Sequence, residues 1–423
     1  MSVARRMALA AGLVVAALGI SVLLAEGALR LMVPTSNVYR MMFPGTRVFE
    51  PDRRFVHGIE GPARYIVNKD GIRGPDFGPD SSEYRVFLVG GSTTECGMLD
   101  ESENWGSVAQ RELGQTRDGR RVWLGNVGRS GLTSRDHAVT VKYLLKQHPR
   151  MDVVVILLGV NDLTSALRQG PEYRSPPSLN DPDAERNQIR NAFALSPAGF
   201  REMLTEDMVP ERTPWYKETQ LYQLAKRART GLQARQVVTG IGGAILGQWR
   251  DNRRSASRII DTLPDLTRPL ADYRQSLETI ARNAREGNAE VIFLTQPSLW
   301  KPRITPAEER LLWLGGTGKF QEEPGHEYYS VRALSDAMSR YNAETLSFCR
   351  ERGLTCLDLA ARLPSDSTMF YDDVHFTEAG AAAVGRLVAA HLRAVRPSVF
   401  GGAVASSDSA SLRPSSSAPS RLR

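Results

Sequence analysis

Cysteine is scarce: three in 423 residues. That is too few for a disulfide framework, and the three lack the spacing of a metal site. Cys349 and Cys356 could pair in an oxidising compartment, leaving Cys96 alone. They straddle a predicted helix end and the strand after it, positions that often lie too far apart to bridge. Three ordinary buried thiols are therefore expected. A strong charge of one sign is also missing. Lysine and arginine total 54 against 47 acidic residues, a net charge of +7. This mild basic bias suits an anionic lipid surface or an acidic glycan. It is too weak to argue nucleic acid, and no zinc finger, basic zipper or RNA-binding signature is present. No internal repeat is found. What is there is a globular composition, 41% hydrophobic and 24% charged, with enough chain for one large domain or two ordinary ones.

One long apolar run stands near the start. Arg5 and Arg6 precede an uncharged stretch from Met7 to Ala25, which Glu26 ends. Its length is near the roughly 20 residues that cross a bilayer as a helix. A cleaved signal peptide has a shorter apolar region and a small-x-small cleavage site, and Ala25-Glu26-Gly27 is a poor one. An uncleaved signal anchor over residues 1–30, with a cytoplasmic stub, is expected. Arg30 and Arg40 nearly balance the positive-inside count. Long domains translocate largely regardless of charge, so the bulk of the chain is expected outside the cytoplasm.

Residues 31–83 form a connecting segment with repeated Pro and Gly. Short aliphatic runs then alternate with helical stretches. Arg85–Val89, Val122–Leu124, Val153–Leu158, Val291–Leu294 and Leu354–Leu359 lack clean alternation, as strands covered on both faces do. Ser134–His148, Pro269–Arg285, Val331–Arg352 and Glu378–Val395 read as helices. Strand then helix, repeated with right-handed crossovers, predicts a three-layer α/β/α doubly wound, flavodoxin-like parallel sheet of about five strands. Residues 165–268 interrupt the alternation. This insertion is strongly basic from Lys217 to Arg258 and contains the apolar run Val237–Trp249, too short to span a membrane. It reads as a helical lid with a solvated basic face, with contact to anionic headgroups as the alternative. Residues 396–423, dominated by Ser, Ala, Pro and Arg, read as a disordered tail.

Chemistry-bearing motifs follow three of the strands, at the end of a doubly wound sheet where ligands bind. Gly90-Gly91-Ser92-Thr93-Thr94-Glu95 allows a tight turn that places Ser92 at a helix start, where the helix dipole favours developing negative charge. The same letters also fit a plain capping box, Ser92-x-x-Glu95. Asn126-Val127-Gly128-Arg129-Ser130-Gly131 lacks the spacing and lysine of a phosphate loop. Glycine there would let a backbone N–H approach an oxyanion. Gly159-Val160-Asn161-Asp162 is either a simple turn or the source of a side-chain N–H from Asn161. Before the last helix, Asp372-Asp373-Val374-His375 offers an imidazole with a carboxylate to fix its tautomer. Among the other histidines only His326, with Glu323, shares that spacing, and it precedes the last strand.

Taken in this order, the four motifs resemble the blocks of the SGNH (GDSL-like) hydrolase family. Ser92, Gly131, Asn161 and Asp372 with His375 match residue by residue. The first block often reads Gly-Asp-Ser-Leu and here reads Gly-Gly-Ser-Thr. The resemblance spans residues 84–164 and 269–395. Asn68-Lys69-Asp70-Gly71-Ile72-Arg73-Gly74 is similar to the lead-in of bacterial membrane-anchored members, which implies the periplasmic side of an inner membrane. The resemblance implies Ser92 as nucleophile, His375 as base oriented by Asp372, and an oxyanion hole of Ser92, Gly131 and Asn161. It implies no metal or organic cofactor, and an acyl-ester substrate such as an acylated glycan or lipid. O-acyl transfer to a surface polysaccharide by the same triad, or a silent binding module, would keep the same letters. Oligomeric state is not legible.

Overall fold

The computed structural model describes residues 3–32, 38–79, 82–196, 199–200, 216, 219, 221–222, 224–225, 238–241 and 243–401. Of the expected tail, residues 402–423 fall outside them, as do Lys217 and the basic residues from Lys226 to Arg235; its start is not disordered, since Pro397–Phe400 forms a short helix with Val399 and Phe400 against the core.

Five parallel strands form the centre: β3 (Glu83–Gly90), β4 (Arg121–Asn126), β5 (Val153–Leu157), β8 (Glu290–Leu294) and β10 (Thr355–Leu357). Their order across the sheet is β10-β8-β5-β3-β4, which is the flavodoxin-like order 2-1-3-4-5 counted within the sheet. All eight residues of β3 and all five of β5 are buried. This is why neither run alternates: helices cover both faces.

Right-handed crossovers divide those helices between two layers. α3 (Trp105–Leu113) and α10 (Glu378–Val395) lie on one face. They approach so closely that a Cβ on Gly385 would stand 2.6 Å from the Val108 side chain. α4 (Ser134–Gln147), α8 (Thr267–Glu286) and α9 (Val331–Arg352) cover the other, with α5 (Val160–Gln169) against α8 and α9, and α6 (Pro182–Ala192) outside α4. Tyr273, Leu277 and Ile280 of α8 are buried at helical spacing, as their period predicts.

The connecting segment is more ordered than a linker. β1 (Gly45–Pro51) pairs antiparallel with β2 (Ala63–Val67). β1 also pairs in parallel with β6 (Val238–Ile241) from the insertion. Val56, Ile59, Tyr65, Val67 and Ile72 join the same core as the sheet. Within the insertion, the described part of the apolar run divides into β6 and the start of α7 (Gly243–Arg254), and β7 (Arg258–Ile260) after it pairs in parallel with β9 (Glu327–Tyr329).

Two expectations need correction. Cys349 and Cys356 form a disulfide, their Cα atoms 6.1 Å apart. The turn at Gly353, with φ +63°, folds the end of α9 back onto β10 tightly enough for bridging. Cys96 stays free and buried. The basic face of the insertion is not simply solvated, since Arg250 and Arg253 of α7 are buried.

The first helix, α1 (Val3–Met32), contains an exposed stretch, Ala10–Arg30, long and apolar enough to cross a membrane. Membrane spans and signal sequences share that length and composition.

Candidate active site

Ser92 follows β3 directly, at the point where the strand order reverses. Gly91 turns the chain in extended geometry and Ser92 opens the four-residue helix α2, Ser92–Glu95. A Cβ on Gly90 would lie 2.1 Å from Thr94 Oγ1 and 2.5 Å from Leu157 O, so only glycine fits this corner. Cys96 leaves the turn in the left-handed region, φ 51°, and burial pushes its thiol up to about 12, which leaves it without nucleophilic character near neutral pH.

The predicted residues converge. Ser92 Oγ lies 2.7 Å from His375 Nε2, and His375 Nδ1 lies 2.7 Å from Asp372 Oδ2. Asp372 Oδ1 accepts the backbone N–H groups of Val374 and His375 at 3.0 and 2.9 Å, which fixes the carboxylate against its own loop. Trp313 Nε1 donates to Asp372 Oδ2 at 3.0 Å. Burial acts to raise the Asp372 carboxyl, but the opposing interaction with His375 and these donors hold it below the ordinary carboxylate range. As the sequence suggests, Thr377 caps α10, accepting from Gly380 N at 3.0 Å. His326 sits near Glu323, with its Nε2 3.9 Å from Glu323 Oε2, and takes no part in the Ser92 cluster.

Asn161 opens the turn after β5. Its Nδ2 donates to Leu132 O at 2.8 Å and would stand 2.6 Å from a Cβ on Gly91, beside Ser92. The amide has two protons; the bond to Leu132 takes one and sets the direction of the other. Gly131, with φ +77°, ends the loop after β4. Glu95 holds that loop by accepting from both the N–H and the hydroxyl of Ser130, each at 2.6 Å. The capping-box reading of Ser92-x-x-Glu95 therefore fails, because Gly91 is the cap residue and the glutamate reaches across to the second loop. Asn126 locks the same loop, donating to Thr94 O at 2.6 Å and accepting from Gly128 N at 2.9 Å.

Several residues of the site lay beyond sequence reasoning. Arg73, in the lead-in motif, is fully buried and donates to the carbonyls of Cys96 and Leu99 at 2.9 and 2.8 Å, clamping the exit of α2. Glu101 pairs with it at 2.9 Å. The motif around Asn68–Gly74 was the only sign of it. Asp373, beside Asp372, is also buried and accepts from Trp300 Nε1 and Trp313 N at 2.8 and 2.7 Å. Trp313 lies in a stretch without any motif.

A cavity of about 780 Å³ opens from Gly131 and Asn161 between α4, α5, α6 and α8. Arginines and carboxylates line it in equal number. Tyr341 has a buried hydroxyl without a hydrogen-bond partner and is among its lining residues, as are Tyr173 and Asp272, bonded at 3.1 Å. Asp162 lines it too and accepts from Ser134 Oγ at 2.5 Å; burial, which outweighs these bonds, pushes its carboxyl up to about 7.

No protein-family model matches the sequence, and no curated protein does. Solved structures similar to the chain include three enzymes or enzyme relatives. One is a protein assigned to the G-D-S-L lipolytic family from Desulfitobacterium hafniense, at 10% identity over 73% of this chain and 99% of that one, TM-score 0.36. Another is Axe2, an acetylxylan esterase from Geobacillus stearothermophilus, at 13% identity over 73% and 93%, TM-score 0.35. The third is LAE5, an alpha/beta hydrolase enzyme from the metagenome of Lake Arreo, at 13% over 74% and 94%, TM-score 0.36. A likeness at these values leaves the chemistry to be argued from the side chains themselves.

Proposed function

We propose that this chain is a serine ester hydrolase of the SGNH type, working on the extracytoplasmic side of a membrane. The observation that carries this reading is the unbroken relay Ser92 Oγ–His375 Nε2 and His375 Nδ1–Asp372, both contacts at 2.7 Å. In it, His375 takes the proton of Ser92 as Oγ attacks the ester carbonyl, and Asp372 holds the tautomer and stabilises the imidazolium. The oxyanion of the tetrahedral intermediate is held by the N–H groups of Ser92 and Gly131 and the side chain of Asn161. The imidazolium then gives its proton to the departing alcohol. Water, deprotonated by His375, attacks the acyl group, and Ser92 recovers its proton as the acid leaves.

Two features support the finer parts of the reading. The exposed apolar helix and the Cys349–Cys356 disulfide both suit an anchored domain in an oxidising compartment. The cavity beside Gly131 and Asn161 mixes polar and apolar lining with balanced charge, which suits the hydroxyls and apolar ring faces of a neutral carbohydrate. A short acyl ester of a carbohydrate, such as an acetyl ester, is the substrate class we assign.

Full-length protein in detergent, incubated with short-chain nitrophenyl esters beside Ser92→Ala and His375→Ala, tests the chemistry. Turnover and fluorophosphonate labelling lost in both variants, with the label of the parent protein mapped to Ser92, is the expected result. An intact protein that neither turns over these esters nor takes the label would remove the hydrolase reading. Tyr173→Phe is expected to raise KM for acetylated oligosaccharides severalfold and leave nitrophenyl acetate kinetics unchanged. Equal effects on both would argue against the cavity as the alcohol site.

A further inference from the structure

Two buried carboxylates stand side by side at the site, and the reaction above uses only one. Asp373 is fully buried, and a buried charge needs compensation by donors and opposite charge. Its Oδ2 accepts from the N–H groups of Trp313 and Leu314 at 2.7 and 3.2 Å, and its Oδ1 from the Trp300 indole at 2.8 Å. Trp313 thus takes hold of both acids, through its backbone on Asp373 and its ring nitrogen on Asp372, the latter at 3.0 Å.

Trp313 is itself held by the insertion. Trp249 of α7 stacks on it with ring centroids 4.4 Å apart. The next residue, Arg250, donates to Leu311 O at 3.0 Å and to Tyr371 O at 2.8 Å. It thereby grips the chain on one side of Trp313 and the residue immediately before Asp372. Arg253 donates to Leu314 O at 2.6 Å, on the other side of Trp313. Both arginines are buried and bonded to carbonyls rather than to carboxylates. Their charge therefore reaches Asp372 and Asp373 through space, in the low-dielectric interior where such effects are strongest. Burial disfavours the charged form of both arginines, and the neighbouring acids oppose that effect.

We propose that α7 of the insertion belongs to the catalytic apparatus: Arg250 and Arg253 are the countercharges of the Asp372–Asp373 pair, and Trp313, wedged between Trp249 and that pair, is the positioning residue that orients Asp372 toward His375. The indole bond draws part of the Asp372 charge away from His375, and the positive charge of Arg250 raises the potential the imidazolium meets. Both lower the affinity of His375 for its proton. The Tyr371 ring also packs on this imidazole, 5.6 Å between centroids, and Ser92 Oγ meets its Nε2. Neither changes in the variants below.

Three variants of the full-length protein in detergent test this, each read by NMR titration of the His375 ring and by the pH profile of kcat/KM. Trp313→Phe keeps the ring and the backbone donor and deletes the indole N–H. It is expected to lower kcat about tenfold at constant KM and to raise the His375 midpoint, and the acid limb, by about half to one pH unit. Arg250→Met is expected to shift the midpoint in the same direction. Arg250→Lys, which keeps the charge and loses carbonyl bonds, should lower Tm and leave the midpoint at the parent value. Midpoints unchanged in both Trp313→Phe and Arg250→Met, with losses that follow Tm alone, would overturn the proposal. So would a Lys variant that shifts as far as the Met variant. The proposal rests on the triad reading only for its kinetic arm. If the parent shows no ester turnover the hydrolase reading fails, and the NMR titration still decides whether α7 sets the state of His375.

Discussion

At the scale of single residues, the site separates groups that do chemistry from groups that hold them. Asp372 is the clearest of the second kind. Replacing it with Asn keeps the shape and offers an amide N–H where an acceptor is needed. A loss of about 10⁴ in kcat with little change in KM is expected, because the imidazole is left in the wrong tautomer. If Asn161 is an oxyanion donor as proposed, Asn161→Ala is expected to cost about 10²–10³ in kcat. Steady-state kinetics on a nitrophenyl ester checks both. Asp162 makes a prediction about stability instead. Its folded-state carboxyl is raised to about 7 by burial, so the folded protein keeps that proton when the unfolded chain has released it. The stabilisation is complete below the ordinary carboxylate range and declines as pH rises to about 7. Thermal melts from pH 4 to 8 should therefore show a fall in Tm that Asp162→Asn reduces. A parallel fall in the variant would assign the effect to other groups.

At the scale of elements, the nucleophile turn depends on two close approaches. A Cβ on Gly90 meets Thr94 Oγ1 at 2.1 Å, and one on Gly128 meets Glu95 N at 2.4 Å. The first contact includes a side chain that could turn away, but Leu157 O behind it cannot move without shifting β5. Gly128→Ala presses on backbone and has no such escape. Each is expected to cost about 1–3 kcal/mol, and Gly128→Ala should also lower kcat by displacing Gly131 from the oxyanion. Urea unfolding beside kinetics separates the two effects. These elements were largely legible beforehand. Strands buried on both faces announce themselves as aliphatic runs, and α9 and α10 begin and end where the sequence places them. The capping-box reading of Ser92-x-x-Glu95 failed for a definite reason: local spacing records which groups could meet within one turn, and Glu95 found a better partner 35 residues away in Ser130.

At the scale of the whole molecule, the disulfide and the insertion carry the surprises. Cys349 and Cys356 are seven residues apart in sequence. Closing so short a loop removes roughly 2 kcal/mol of unfolded-chain entropy. Cys349→Ser with Cys356→Ser should lower Tm by a few degrees in scanning calorimetry and leave kcat unchanged, since α9 and β10 pack away from Ser92. A large loss of turnover at constant Tm would contradict this. The insertion read as a solvated basic surface because arginines are usually on the outside. Arg250 and Arg253 are exceptions, because backbone carbonyls and two buried acids meet them in the folded protein.

By itself the sequence determined the doubly wound sheet, the three loops at the carboxyl ends of its first strands with Ser92, Gly131 and Asn161, and the segment before the last helix with Asp372 and His375. The sheet follows from local patterning, since aliphatic runs mark strands, and the residues were singled out by the resemblance of their four motifs, taken in order, to the blocks of a hydrolase family. Only the tertiary structure decided that Arg73 clamps the exit of the nucleophile turn, that Glu95 anchors the second loop, and that Trp249, Arg250, Trp313 and Asp373 close around Asp372. Those contacts join segments from 23 to more than 120 residues apart. Nothing in the local sequence distinguishes a buried arginine or tryptophan from an exposed one until the packed chain supplies its partners.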